Sequence, residues 1–257
     1  MPPLMQWIPT IRRSALTEWL LPLGAVVTAL WLADVCASDG RSAAAQMQSA
    51  HDGRAVWRDF PGFEAVLNAN RDGQTFAGRL VVTPSGSIEL RMSGSANAEW
   101  LEKALDSLIG HRLADSDPIR NVEYADDNAA HPFGRLIRSL DREDASLWRV
   151  RGDVLTEVHR FNDKTHFVIS VSDVARTPEG KHLPQDFAVE TWDRATGRLI
   201  KSRQVHTEWT RVENFDLPTR WWAVVNSDGE GRSVESFELS AHRLLPKAAA
   251  AAGATSP

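Results

Sequence analysis

The sequence predicts an α+β fold built on one large antiparallel β-sheet, curved and half-barrel-like, with helices packed on its concave face. Three observations carry this. Period-two segments recur from residue 63 to residue 242, turn chemistry (Gly, Asp, Asn, Pro) separates them at hairpin spacing, and only two long stretches show a helical period. Strands and helices do not alternate in βαβ fashion, so a parallel sheet with a nucleotide crevice is excluded.

Of the 257 residues, the first 37 read as an export segment. Arg12 and Arg13 precede an apolar run from Trp19 to Val35, and Val35-Cys36-Ala37 closes it with the small residues a signal peptidase reads. Cleavage after Ala37 makes the protein exported, periplasmic or otherwise extracytoplasmic. Left uncleaved, the same segment is an N-terminal anchor, because Trp19 to Ala37 is just long enough for a hydrocarbon core of about 30 Å. Membrane contact would then run through it. Residues 38–246 form a single β-rich domain, and the alanine-rich residues 247–257 a disordered tail.

Within the domain, residues 42–57 carry a ragged apolar stripe and predict a helix, with Gly53 as its weak point. Phe60-Pro61-Gly62-Phe63 ends it. Strands follow over 63–70, 76–83 and 87–93, separated by Asn70-Arg71-Asp72-Gly73 and Pro84-Ser85-Gly86. The strongest helix spans 97–112, opened by Asn97 as N-cap, with Trp100, Leu101, Ala104, Leu105, Leu108 and Ile109 on one face. Residues 115–131 read as a polar surface excursion and 133–140 as a short helix. Strands resume over 147–150, 154–161, 165–174, 187–192, 199–212, 219–226 and 233–242, with turns at Gly152-Asp153, 193–197 and 228–231.

Composition narrows the function. Against 29 basic side chains stand 34 acidic ones, a net charge of −5 without a basic run, so nucleic-acid binding is excluded. The single cysteine, Cys36, lies in the export segment, and the domain therefore holds neither disulfide nor thiolate site. Gly-x-Ser-x-Gly and phosphate-loop motifs are absent. Arg151-Gly152-Asp153 spells an adhesion tripeptide but reads as a tight turn. The chain thus reads as a non-enzyme without a cofactor, acting as a monomer.

Two constellations remain. A two-residue turn with Asn162-Asp163 at its tip sets Phe161 opposite Lys164 and His159 opposite His166, with Glu157 on the same face. Glu157, His159 and His166 are thereby a candidate metal set and the basis of a rival reading, a metal-dependent or hydrolytic enzyme. The second constellation is aromatic. Trp192, Trp209, Trp221 and Trp222 crowd the C-terminal strands, and the adjacent Trp221 and Trp222 must face opposite sides of one strand. A curved sheet incompletely filled by its helices would hold an apolar ligand, with Trp100, Leu105, Trp209, Trp221 and Trp222 as lining residues. An envelope protein-interaction module is the other rival.

The stretch Ala55-Val56-Trp57-Arg58-Asp59-Phe60-Pro61-Gly62-Phe63-Glu64-Ala65 resembles an exported bacterial and plastid family of unknown function, DUF3386. Glu157-Val158-His159-Arg160 and the run from Phe237 to Leu245 carry the same resemblance. It brings no catalytic residues with it. The architecture is more loosely similar to the periplasmic lipoprotein-carrier (LolA-like) fold, which implies an apolar small molecule, an acyl chain or an acylated protein as the partner.

Overall fold

The computed structural model describes residues 40–93, 98–113, 121–141 and 146–246. The export segment, the Asn97 cap and the C-terminal tail fall outside them. The described residues form two helices, α1 (Ala43–Gly53) and α2 (Glu99–Gly110), and twelve strands. These are β1 (Phe63–Arg71), β2 (Gln74–Val82), β3 (Ile88–Met92), β4 (Val122–Tyr124), β5 (Arg135–Ser139), β6 (Leu147–Arg151), β7 (Val154–Phe161), β8 (Thr165–Arg176), β9 (His182–Asp193), β10 (Leu199–Val212), β11 (Phe215–Ser227) and β12 (Gly231–Leu244).

All twelve strands lie in one antiparallel sheet, in the order β3-β2-β1-β12-β11-β10-β9-β8-β7-β6-β5-β4. Every neighbour is a sequential hairpin except β1 and β12. Turn chemistry sets the hairpins: Asp72 and Gly73 both take positive φ, 52° and 89°, as a two-residue connection with right-handed strand twist requires.

The register places both helices on one face. Across the sheet, Ala69 pairs with Phe237, Phe237 with Trp221, Ala223 with Val205, Val205 with Phe187 and Phe187 with Val171. Two residues along, Val189 pairs with Ile169, then Val158, Trp148, Ile137 and Tyr124 follow. Because side chains alternate with period two, these residues share a face. On it, α2 buries Trp100, Leu101, Ala104, Leu105 and Ile109 against Leu67, Leu80, Trp221 and Phe237. At the other end α1 buries Ala43, Met47 and Ala50 against Ile137, Trp148 and Val150.

Capping and polar contacts fix α1. Ser42 caps it by accepting from the Ala45 amide at 3.2 Å, and buried Gln46 donates to the Val150 carbonyl at 2.9 Å while accepting from the Tyr124 hydroxyl. The expected helix through Trp57 stops at Gly53, where a Cβ would meet the Asp153 carbonyl at 2.6 Å. Residues 54–57 are extended instead. This strap bridges Arg54 to His182 on one side and Trp57 to Leu113 on the other, so it links the two helical ends.

Four other expectations are corrected. Residues 133–140 form strand β5, not a helix: Ile137 points inward at 0% exposure with exposed Arg138 after it, and Gly134 lies against the neighbouring backbone. The polar excursion contains β4, whose Tyr124 is covered by the Arg135 guanidinium at 3.3 Å. The β7–β8 turn centres on Asp163-Lys164, one residue later than expected, since the Asn162 side chain accepts from the Lys164 and Thr165 amides. Phe161 therefore faces His166, and His159 faces Val168. Strand β11 also begins earlier than expected, running through Pro218, which sits opposite the bulge between Glu208 and Trp209.

Gly134 should be the least replaceable of the described glycines. Its φ is 84° and a Cβ would fall 2.0 Å from the Val150 carbonyl oxygen, whereas Gly152, at φ 63°, has open space around it. Gly134→Ala is expected to cost more than ~3 kcal/mol in denaturant unfolding, and Gly152→Ala about 1 kcal/mol.

Candidate functional site

The helix-bearing face is not uniformly covered. Near α2, Leu101, Leu105 and Ile109 are 0% exposed and Trp100 stacks on Trp221 with centroids 6.5 Å apart. Trp221 in turn stacks on Phe237 at 5.3 Å. Side chains at zero exposure touch no space that admits water, so the volume under α2 is filled. The α1 cluster is smaller and equally dense at Ile137, Trp148 and Val150.

Between the two clusters lie the inward side chains of β8 and β9: Phe167, Ile169, Val171, Phe187 and Val189. All five are half-buried, and of the five only Phe187 packs against either cluster. Five apolar side chains in two adjacent strands form a continuous strip. Cations flank it toward the β9–β10 turn. Arg160, opposite Phe167, lies over the Trp148 ring, and Arg203, opposite Val189, lies over Trp221. Arg203 also pairs with Glu235 at 2.8 Å, and its Nε is buried without a hydrogen-bond partner.

The opposite end of the strip carries the strap. The Ala55 amide donates to the His182 carbonyl at 2.9 Å and the Trp57 amide to the Arg112 carbonyl at 2.6 Å. Arg112 is buried, donates to the Ala55 carbonyl at 2.9 Å and lies over the Trp209 ring. Burial pushes its pKa down to about 10, so it remains charged at neutral pH. Trp57 stacks on Phe60 at 4.3 Å, which turns the aromatic Trp57–Phe63 stretch into a plug below α2. Outside the strap, a cleft of about 1090 Å³ is lined by Arg54, Arg58, Lys181, Arg211 and Asp216 among others. Its mixed charges suit water better than an acyl chain.

Of the five tryptophan-centred lining residues expected from the sequence, Trp100, Leu105 and Trp221 come together, in the filled cluster. Trp209 lies apart at the strap end, with its indole donating to the Pro184 carbonyl at 3.2 Å. Trp222 is on the other face, 38% exposed and stacked on His206 at 5.6 Å. Sequence reasoning missed the β8–β9 strip. The signal was present: Phe167-Val168-Ile169 and Phe187-Ala188-Val189 are apolar on both faces, as strands covered on both sides are.

The histidines also lie on the face away from the helices. His159 Nε2 meets Glu157 Oε1 at 2.5 Å, and His159 Nδ1 meets His166 Nε2 at 3.2 Å. Phe161 stacks on His166 at 4.2 Å and Trp192 flanks it at 5.6 Å. Desolvation first, then the nearby His159 and Arg194, holds the His166 imidazole below its usual range. The adhesion-like Arg151-Gly152-Asp153 is a hairpin turn whose Asp153 is paired bidentately with Arg176 at 2.8 and 3.1 Å. Among the described residues no helix is long and apolar enough to cross a membrane.

Two changes separate packing from exposure. Leu105→Ala should lower unfolding free energy by ~3 kcal/mol through the cavity it leaves, and Trp222→Ala by less than ~1 kcal/mol. A pH effect is expected at His182. It is buried with Nδ1 unpaired, and desolvation lowers its pKa from 6.5 to about 4. The unfolded chain therefore binds a proton that the folded one refuses, and stability falls as pH drops from about 6.5 toward 4. In thermal melts across that window, His182→Gln should flatten the decline.

Residues 38–245 match the family described as "Protein of unknown function (DUF3386)". None of the curated proteins matches the sequence. Among solved structures, the chain is similar to a LolA superfamily protein from Nitrosomonas europaea, at 13% identity and a TM-score of 0.34, covering 80% of this chain and 94% of that one. It is also similar to a DUF1329 family protein from Desulfovibrio piger, at 11% identity and a TM-score of 0.29, covering 78% and 92%. A third is a putative outer membrane lipoprotein-sorting protein domain from Vibrio parahaemolyticus, at 10% identity and a TM-score of 0.32, covering 78% and 91%.

Proposed function

Because the chain belongs to the DUF3386 family, whose function is unknown, we propose a role from its own geometry: non-enzymatic binding and carrying of an apolar or acylated ligand outside the cytoplasm. The observation that carries this reading is the half-buried strip of Phe167, Ile169, Val171, Phe187 and Val189 between two filled clusters on one face. On this reading the sheet bends toward its helices, and the strip is the floor of a groove. The α1 and α2 clusters are its walls, and the strap closes one end.

Energetics favour an occupant. Apolar side chains left half in water gain about 25 cal/mol for each Å² that a ligand removes from solvent, so covering several hundred Å² offsets the entropic cost of capture. Trp100, Leu105 and Trp221 serve as the rigid wall on the α2 side and Trp209 as the buttress at the closed end. Residues 1–37 act as the export signal, and the carrier works in the periplasm or an equivalent compartment. The same groove would take a free acyl chain or the acyl chains of a lipoprotein.

Two measurements test this. Native mass spectrometry of protein purified from its secretory host, followed by lipid extraction, should find a co-purified amphiphile. A titration with dansylundecanoic acid should saturate, and Ile169→Asp or Val189→Asp should weaken it roughly tenfold or more, since either buries a carboxylate under the chain. Trp222→Ala, on the far face, should leave it unchanged. A protein that purifies empty and binds no acyl probe sinks the proposal.

A further inference from the structure

The sheet face away from the helices carries a second constellation that ligand carriage does not use. Strands β7 and β8 hold it. His166 stands opposite Phe161, and His159 occupies the next position along β7 on the same face, opposite Val168. The two imidazoles lie within 14° of parallel, with centroids 5.4 Å apart and His159 Nδ1 3.2 Å from His166 Nε2.

The second nitrogen of His159 is already committed. Glu157, two residues back on β7, accepts from His159 Nε2 at 2.5 Å. Arg149 holds the other Glu157 oxygen at 3.4 Å and is itself held by Asp126 at 3.0 Å. This chain fixes the proton of His159 on Nε2 and leaves the lone pair on Nδ1 facing His166. A carboxylate behind a histidine in this manner orients the ring and raises its basicity toward a metal ion.

We propose that His159 and His166 form a two-histidine binding site for a divalent transition metal ion of the Zn²⁺ or Cu²⁺ type, with Glu157 as the residue that positions His159. The spacing supports it. Two imidazole nitrogens bound to one tetrahedral ion at about 2.0–2.1 Å stand about 3.3 Å apart, close to the separation already present. To bind, His166 carries its proton on Nδ1 instead of Nε2, and both facing nitrogens become donors to the ion.

The surroundings decide the character of the site. Phe161 and Trp192 flank His166 and keep its ring in place, while the side chains of His159 and Glu157 remain 18% and 15% exposed. Water thus completes the coordination. Among the described residues no group of three or more His, Cys, Asp or Glu is placed to hold one ion. With only two protein ligands, affinity follows the intrinsic preference of nitrogen donors, Cu²⁺ above Zn²⁺.

The test uses the full chain, purified without a histidine tag. Calorimetric titration with Cu²⁺ and with Zn²⁺ should show one equivalent bound, Cu²⁺ more tightly. His159→Ala and His166→Ala should each abolish saturable binding, and Glu157→Gln should weaken it roughly tenfold to a hundredfold without abolishing it. Electron paramagnetic resonance of the Cu²⁺-loaded wild-type chain should display hyperfine structure from two imidazole nitrogens, a readout independent of whether the alanine variants fold. Absence of saturable binding, unchanged affinity in both alanine variants, or a spectrum without two nitrogen ligands overturns the assignment.

Discussion

The whole arrangement depends on one constraint: a twelve-stranded sheet has far more inward surface than two short helices can cover. α1 has 11 residues and α2 has 12, which at about 1.5 Å per residue gives rods of roughly 17 and 18 Å. Twelve strands at about 4.8 Å spacing are roughly three times as wide. Each helix can therefore seal only one end of the sheet, and the register shows that both seal the same face. The inward residues of β8 and β9 are what remains. Their half-buried state follows from this geometry, and any ligand role rests on it.

The strap is the second element that geometry demands. Two clusters at opposite ends of a sheet are joined only through the sheet, and residues 54–57 add a second tie by bonding to His182 and Arg112. Arg112 has no carboxylate partner among the hydrogen bonds and ion pairs of the described residues. Its guanidinium donates to the Ala55 carbonyl and lies over the Trp209 ring. A buried charge held by a carbonyl and an indole is costly to assemble and hard to slide, so it fixes the strap's position more firmly than an apolar contact would.

Much of the fold was legible because hairpin chemistry is local. The turns at Asp72-Gly73 and Gly152-Asp153, the alternation of the C-terminal strands and the Trp100–Ile109 stripe each announce an element within a dozen residues. What escaped was set by distant partners. Position 53, where α1 ends, takes a glycine because the Asp153 carbonyl, a hundred residues away, lies 2.6 Å from where a Cβ would stand. Arg135–Ser139 is a strand because β6 offers it a ladder, although its own composition is equally compatible with a helix. The histidine pair was placed on the right face but two residues out of register, since Asn162 caps the turn from outside rather than forming its tip. For the strip, composition named the tryptophans of the C-terminal strands, but of these only Trp221 is buried, inside the filled cluster, and the half-buried inward surface belongs to Phe167, Ile169, Val171, Phe187 and Val189.

Among the described residues, every strand pairing but one joins chain neighbours. The exception, β1 against β12, couples Phe63–Arg71 to the final strand of the domain. Until β12 docks, the first three strands have no lateral partner except each other, and the α2 cluster lacks Phe237 and Leu239. Assembly of the larger half must therefore wait for β12, which gives this domain a slow, late closing step dominated by long-range contacts. It also makes the segment up to Leu244 the place where a premature stop would do most harm, leaving a ladder of hairpins with an exposed apolar edge.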